Sequence, residues 1–178
     1  NPFPPFTTST LQQDSFRRLG FSAKRTMVVA QQLYEGIGLG PEGSVGLITY
    51  MRTDSLNLSA DSVAEAKKFL AGEVGKPYAL PAPRIFKTTS KGAQEAHEAI
   101  RPTDPARTPE SIKQYLDHSQ FRLYDLIWRR FIASQMPPAL FDTTSIDIDG
   151  KPREGQEIYT FRANGQVMKF DGFLKIYP

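Results

Sequence analysis

The chain contains no cysteine and only two histidines among its 178 residues. The lack of thiols excludes disulfides, cysteine nucleophiles and thiolate metal sites, and it is compatible with a reducing cytosolic setting. No apolar run approaches the ~20 residues that a helix needs to cross a bilayer. The opening NPFPPFTTST has neither the basic start nor the apolar stretch of a secretory signal, so no membrane partner is expected. A glycine-rich phosphate loop is also missing. GIGLGPEG, residues 36–43, has the glycines but neither a following lysine nor a preceding strand. Acidic metal motifs are equally thin. IDIDG, residues 146–150, offers an Asp-x-Asp pair, but residue 151 is lysine and no further carboxylates follow at ligand spacing. A strand closing in an Asp-Gly turn accounts for it, and no metal site is assigned to this chain.

What remains is an ordinary globular composition, 39% hydrophobic and 23% charged, with a net charge of +3. That mild basicity permits a polyanionic partner without demanding one. Local clustering says more: Arg17, Arg18, Lys24 and Arg25 are opposed nearby only by Asp14. A solvated helical face explains such a cluster, and a nucleic-acid surface needs support from elsewhere.

Periodicity organises the chain into helices followed by strands. After the proline-broken NPFPPF, Thr7 or Thr8 can cap a helix whose apolar side is Leu11, Phe16 and Leu19 and which Gly20 ends. Ser22 starts a second, with Met27, Ala30, Leu33, Tyr34 and Ile37 at helical spacing. The two form a helix-turn-helix-like unit. Val45, Leu47 and Ile48 predict a brief buried strand. Ser59 caps a third helix, with Val63, Ala66, Phe69 and Leu70 toward the core and Gly75 near its end. A short strand is expected around Ile85 and Phe86, and AQEAHEAIRP reads as helical until Pro102. Thr108-Pro109-Glu110 opens two further helices, over 109–117 and 120–135, and Tyr124, Ile127, Trp128, Phe131 and Ile132 form a core stripe. His118 reads as a linker residue between them.

Past Pro137-Pro138 the period changes to that of strands. ALFDTTSIDI, EIYTFRA, QVMKF and FLKIYP are β-rich, and Asn164-Gly165 marks a tight hairpin. The expected class is therefore α+β. It divides into an extended lead-in at 1–6, a helical domain at 7–137, and strands of an adjoining, incomplete domain at 138–178.

Candidate chemistry concentrates in GLITYMRTDSLNLS, residues 46–59. A tyrosine with a pKa near 10 is a poor nucleophile unless cations or a base assist it. Arg52, two residues after Tyr50, has the planar fork suited to a phosphate oxygen. In an extended segment both side chains point to one side. Spacing alone favours a surface tyrosine beside a surface arginine, because Tyr-x-Arg is an unspecific pattern. On a helix, His97 and Arg101 would share a face and could bind an oxyanion or supply a proton to a leaving oxygen, although a lone histidine is more often structural.

Five segments in one order settle which company this chain keeps: PFTTSTLQQ (5–13), LYEG (33–36), GLITYMRTDS (46–55), AQEAHEAIRPT (93–103) and MKFDGFLKIY (168–177). Together they resemble the type IA DNA topoisomerases, especially their bacterial branch, and the resemblance runs essentially end to end. It covers only the middle of those larger enzymes, the helical domain with the nucleophilic tyrosine plus returning strands of the arch beside it.

The resemblance implies that Tyr50 attacks a phosphodiester of single-stranded DNA to give a 5′-phosphotyrosine, and that negatively supercoiled DNA relaxes by strand passage without a nucleotide cofactor. It assigns Arg52 to the pentavalent phosphate and His97 to a hydrogen bond on the same phosphate, with Arg101 as a backbone contact. Thr49 and Asp54 would shape the loop. Thr8, Ser9 and Thr10 match a TST segment with capping and possible phosphate-binding roles, and Arg17, Lys24 and Arg25 would bind DNA. Mg2+ would be held by an acidic domain that precedes this region, so this chain alone is expected to bind single-stranded DNA but not to cleave it. Its partners would be DNA and the rest of the same enzyme, in the cytoplasm at the nucleoid. The rival from another class is a non-catalytic helix-turn-helix DNA-binding module, using the Arg17–Arg25 cluster and keeping Tyr50 in the core.

Overall fold

The computed structural model describes residues 1–86, 97–151, 153 and 157–178. Helix α1, Thr8–Leu19, starts at a capping box in which Thr7 and Thr10 bond reciprocally, and it stops at Gly20 in the left-handed region, φ 71°. Helix α2, Ala23–Glu35, is capped by Ser22. Between them Phe21 is buried, with the Arg25 guanidinium 4.4 Å from its ring centre. The inward faces differ in detail from the periodic reading. Phe16 is 68% exposed, and α1 buries Leu11 and Ser15 instead. On α2 the buried set is Thr26, Val29, Ala30 and Leu33, while Tyr34 is partly exposed.

Strands β1 (Ile37–Gly38) and β2 (Ser44–Val45) form a short antiparallel pair. Helix α3, Ala60–Phe69, is capped by Ser59 and widens into a π-type turn over Leu70–Val74. Ile85 and Phe86 belong to no strand among the described residues, and Ile85 is highly exposed. Residues 97–101 are extended rather than helical: Ile100 bridges Phe6, and Pro102 bridges Ile48. Pairing with two other segments overrides the local helical pattern there. The first part of AQEAHEAIRP, residues 93–96, lies outside the described residues.

Thr108 caps α4, Pro109–Ile112, which tightens into a 3-10 turn over Lys113–Tyr115. Helix α5, His118–Ser134, begins at a capping box of Asp117 and Gln120, so His118 is its first residue rather than a linker. The expected stripe of α5 is buried throughout and packs on α1 and α2.

Strands β3 (Leu140–Gly150) and β4 (Tyr159–Phe170) form one long antiparallel ribbon. Asn164 and Gly165 are not a hairpin turn. They lie inside β4 opposite Ser145 and Thr144, and the reversal falls between Gly150 and Tyr159. The apolar alternation on both sides of Asn-Gly continues in phase, and cross-strand pairing over eleven rungs outweighs the local turn signal. FLKIYP does not continue the ribbon either. Gly172–Lys175 is a 3-10 turn, and Phe173, Ile176 and Tyr177 join the helical core. The Tyr177 hydroxyl donates to Asp14 at 2.7 Å, and Arg130 donates to Asp14 and to the Pro4 carbonyl. Both chain ends are thereby tied to α1 and α5. The arrangement is α+β: a helical body from which one ribbon projects.

Candidate functional site

Tyr50 stands at the end of an extended segment fixed from three sides. The Leu47 amide donates to Leu33 O at 2.7 Å, which anchors the segment to the end of α2. Antiparallel to it runs 99–103, with Thr49 N donating to Arg101 O and Thr103 N to Leu47 O, both at 2.9 Å. The Thr49 hydroxyl locks this crossing, donating to Ala99 O at 2.7 Å and accepting from Arg101 N at 3.0 Å. Gly46 permits the close approach of α2, since a Cβ there would lie 2.7 Å from Tyr34 O. Ile48 and Leu47 are buried, and the chain then emerges.

From Tyr50 onward the residues alternate. Tyr50, Arg52 and Asp54 are exposed, whereas Met51, Thr53 and Ser55 are buried. Tyr50 and Arg52 are therefore both exposed while Met51 between them is buried, and the chain bends at Met51 and Arg52 instead of running straight. Tyr50 is 42% exposed, and its ring meets that of Tyr34 edge-on, with centroids 5.3 Å apart and planes at 64°. Thr53 and Ser55 hydroxyls accept the amides of Ser55 and Asn57, two residues on in each case, so the loop satisfies its own backbone through side chains.

The loop rests on the N-terminus of α1. Thr8 N donates to Thr53 O at 2.9 Å, Thr53 N donates to the Thr8 hydroxyl at 2.8 Å, and that hydroxyl donates to Met51 O at 2.7 Å. Of the TST residues, Thr10 belongs to the capping box with Thr7, and Ser9 is exposed beside the Thr7 hydroxyl.

His97 sits on the strand-like segment that pairs with the one leading to Tyr50, two residues before Ala99 and half-buried. Its neighbour Glu98 receives Arg101 in a two-pronged pair, Nε–Oε2 2.6 Å and Nη2–Oε1 3.1 Å, and also accepts the Ser59 amide at 3.3 Å. Burial opposes ionisation of Glu98, but the Arg101 hydrogen bond and charge, with the Ser59 amide, hold its carboxyl below the usual range. The Arg101 side chain is only 11% exposed. It is engaged by protein groups and does not stand out toward solvent.

The basic cluster lies elsewhere. At about 1.5 Å per residue, Arg17 stands roughly 13 Å along α1 from Thr8, and Lys24 and Arg25 open α2, whose other end carries Leu33. All three are exposed, and Arg25 donates to the Ser119 hydroxyl at 2.7 Å. The structure thus gathers Tyr50, Arg52, Thr8 and the His97 segment, and leaves Arg17, Lys24 and Arg25 at the opposite end of the helices. Sequence reading missed Tyr34 as a neighbour of Tyr50. Its signal was present in LYEG, where the tyrosine had been counted with the core.

Among the described residues, no group of three or more His, Asp or Glu side chains could hold a metal ion. Asp147 is paired by Arg162 and Asp149 accepts from Thr160, on alternate rungs of the ribbon. This donor set does not fit a divalent cation. No helix among them is long and apolar enough to cross a membrane.

Comparison with known proteins follows the same outline. A family model described as DNA topoisomerase matches residues 1–178. DNA topoisomerase 1 from two strains of Xylella fastidiosa is 52% identical over 176 residues, covering 99% of this chain and 21% of each relative. A solved structure of full-length topoisomerase I from Thermotoga maritima matches with a TM-score of 0.81 and 40% identity, covering 99% of this chain and 27% of that one. The chain spans about a fifth of the length of the curated relatives it matches.

Proposed function

The chain belongs to the DNA topoisomerase family, and from that premise we propose that Tyr50 is the nucleophile of a type IA reaction. Its phenolic oxygen attacks a phosphodiester of single-stranded DNA. A P–O bond forms to Tyr50 as the bond to the 3′ oxygen breaks, giving a 5′-phosphotyrosine and a free 3′-hydroxyl. The reverse attack restores the strand. The phosphodiester is conserved in the covalent link, so the cycle needs no nucleotide, and passage of a second strand between the two steps relaxes negative supercoils.

Arg52, exposed two residues after Tyr50, brings its positive fork to the phosphate oxygens where charge develops. His97 donates a hydrogen bond to the same phosphate from the neighbouring segment. The single observation that supports this reading best is the alternation at 50–54: the two chemical residues are exposed together because the residues between and after them are buried and bonded to α1. Magnesium would be held by another part of the longer enzyme; among the described residues no three His, Asp or Glu side chains are grouped for it. Single-stranded DNA and the remaining domains of that enzyme are the partners, and the setting is the cytoplasm at the nucleoid.

A second reading, a DNA-binding module that makes no covalent bond, draws on the glycine-joined helices and the exposed Arg17, Lys24 and Arg25. One experiment separates the two. Single-stranded DNA is incubated with this chain, magnesium and the metal-binding portion of a relative, then denatured. A protein–DNA adduct with wild type and none with Tyr50→Phe supports the enzyme; DNA binding with no adduct under any condition supports the module.

A further inference from the structure

The TST segment is where DNA contact was expected, yet Thr8 is turned the other way. Its hydroxyl has one proton to give, and that proton goes to the loop carbonyls, Met51 O at 2.7 Å and Thr53 O at 3.1 Å. The same oxygen accepts the Thr53 amide at 2.8 Å, and the Thr8 amide donates to Thr53 O at 2.9 Å. Met51 and Thr53 are the two residues that bracket Arg52.

We propose that Thr8 is a positioning residue that holds both shoulders of Arg52, so that the guanidinium projects beside Tyr50. Its consequence for catalysis rests on the topoisomerase reading above; the holding itself does not. Three features single Thr8 out. The cap of α1 is Thr7, so the Thr8 hydroxyl is not needed to begin the helix. Among the described residues, the loop from 51 to 55 belongs to no strand ladder, and no other side-chain hydroxyl bonds both Met51 O and Thr53 N. An exposed arginine with a long, rotamer-rich side chain gains orientation chiefly through its backbone. Fixing the peptides on either side of Arg52 is therefore the economical way to pre-orient a phosphate clamp.

Two substitutions isolate the hydroxyl. Thr8→Val keeps the side chain's shape and removes its bonds, while Thr8→Ser keeps the bonds. In hydrogen exchange on this chain, Thr8→Val should speed the Thr53 amide roughly five- to tenfold, the loss of about one net hydrogen bond, and Thr8→Ser should stay close to wild type. In the adduct experiment, Thr8→Val should slow adduct formation by about the same factor with single-stranded DNA affinity unchanged, and Thr8→Ser should restore it. In an Arg52→Ala background the Thr8→Val penalty should vanish, because the effect passes through Arg52. Unchanged exchange at Thr53, a parallel loss of DNA affinity, or a full additive penalty beside Arg52→Ala would each overturn the proposal. If wild type forms no adduct, the topoisomerase reading fails, and the exchange comparison by itself decides whether Thr8 holds the loop.

Discussion

Arg101 grips Glu98 with two nitrogens, at 2.6 and 3.1 Å, and the same guanidinium reaches the Ser59 hydroxyl at 3.3 Å and the Pro102 carbonyl at 3.0 Å. One side chain thus joins the His97 segment to the cap of α3. Arg101→Ala would leave a half-buried carboxylate with only the Ser59 amide and should cost about 1–3 kcal/mol in urea denaturation. Single-stranded DNA affinity should not change, and a selective loss of affinity at unchanged stability would reinstate Arg101 as a DNA contact.

Acid should weaken the same brace. Because the folded-state pKa of Glu98 is depressed, its contribution is fully present above the usual glutamate value near 4.5 and is lost as pH falls below it toward the folded value. Glu98→Gln should remove that part of the pH dependence of the melting temperature. A variant as acid-sensitive as wild type would show that other carboxylates dominate.

Close approach at Gly46 gives a third expectation. A methyl group there would meet Tyr34 O at 2.7 Å, against helix backbone that cannot swing aside. Gly46→Ala should destabilise the chain by about 1–3 kcal/mol and displace Tyr50 from the Tyr34 ring, seen as a change in the Tyr50 ring resonances. Neutral behaviour in both measurements would mean that the α2 end yields easily.

How much of this was legible beforehand differs by element. Caps were legible: Thr7, Ser22, Ser59 and Thr108 each sit where a hydroxyl can take the amide of a first helical turn. The stripe on α5 was legible because a long helix repeats its period many times. Residues 97–101 were not, since their extended form is imposed by Phe6, Ile48 and Thr49, which are remote in sequence. Asn164-Gly165 misled for the converse reason, a strong local turn signal within a strand whose register the partner fixes. At the site, only the family resemblance singled out Tyr50, Arg52 and His97, since Tyr-x-Arg and a lone histidine are unspecific by themselves, and the inward turn of Thr8 depended on a loop more than forty positions away.

The ribbon is amphipathic, and its apolar face is bare. Ile146, Ile148, Phe161 and Val167 share one side and are 55–70% exposed, opposite the Asp147–Arg162 pair on the other. Replacing Ile148 and Phe161 with serine should lower concentration-dependent association in sedimentation without moving the unfolding of the helical body by more than about 0.5 kcal/mol. A matching loss of helical stability would show that the ribbon supports the body.

The central claim is that a covalent bond forms at Tyr50, with defined polarity. The direct measurement is peptide mass spectrometry on the adduct formed with magnesium and the metal-binding portion of a relative, using DNA labelled at its 3′ end. The account predicts that the label is retained and that the nucleotide, joined through its 5′ phosphate, is found on the peptide containing Tyr50. Retention of a 5′ label instead, or a nucleotide on any other side chain, would contradict it.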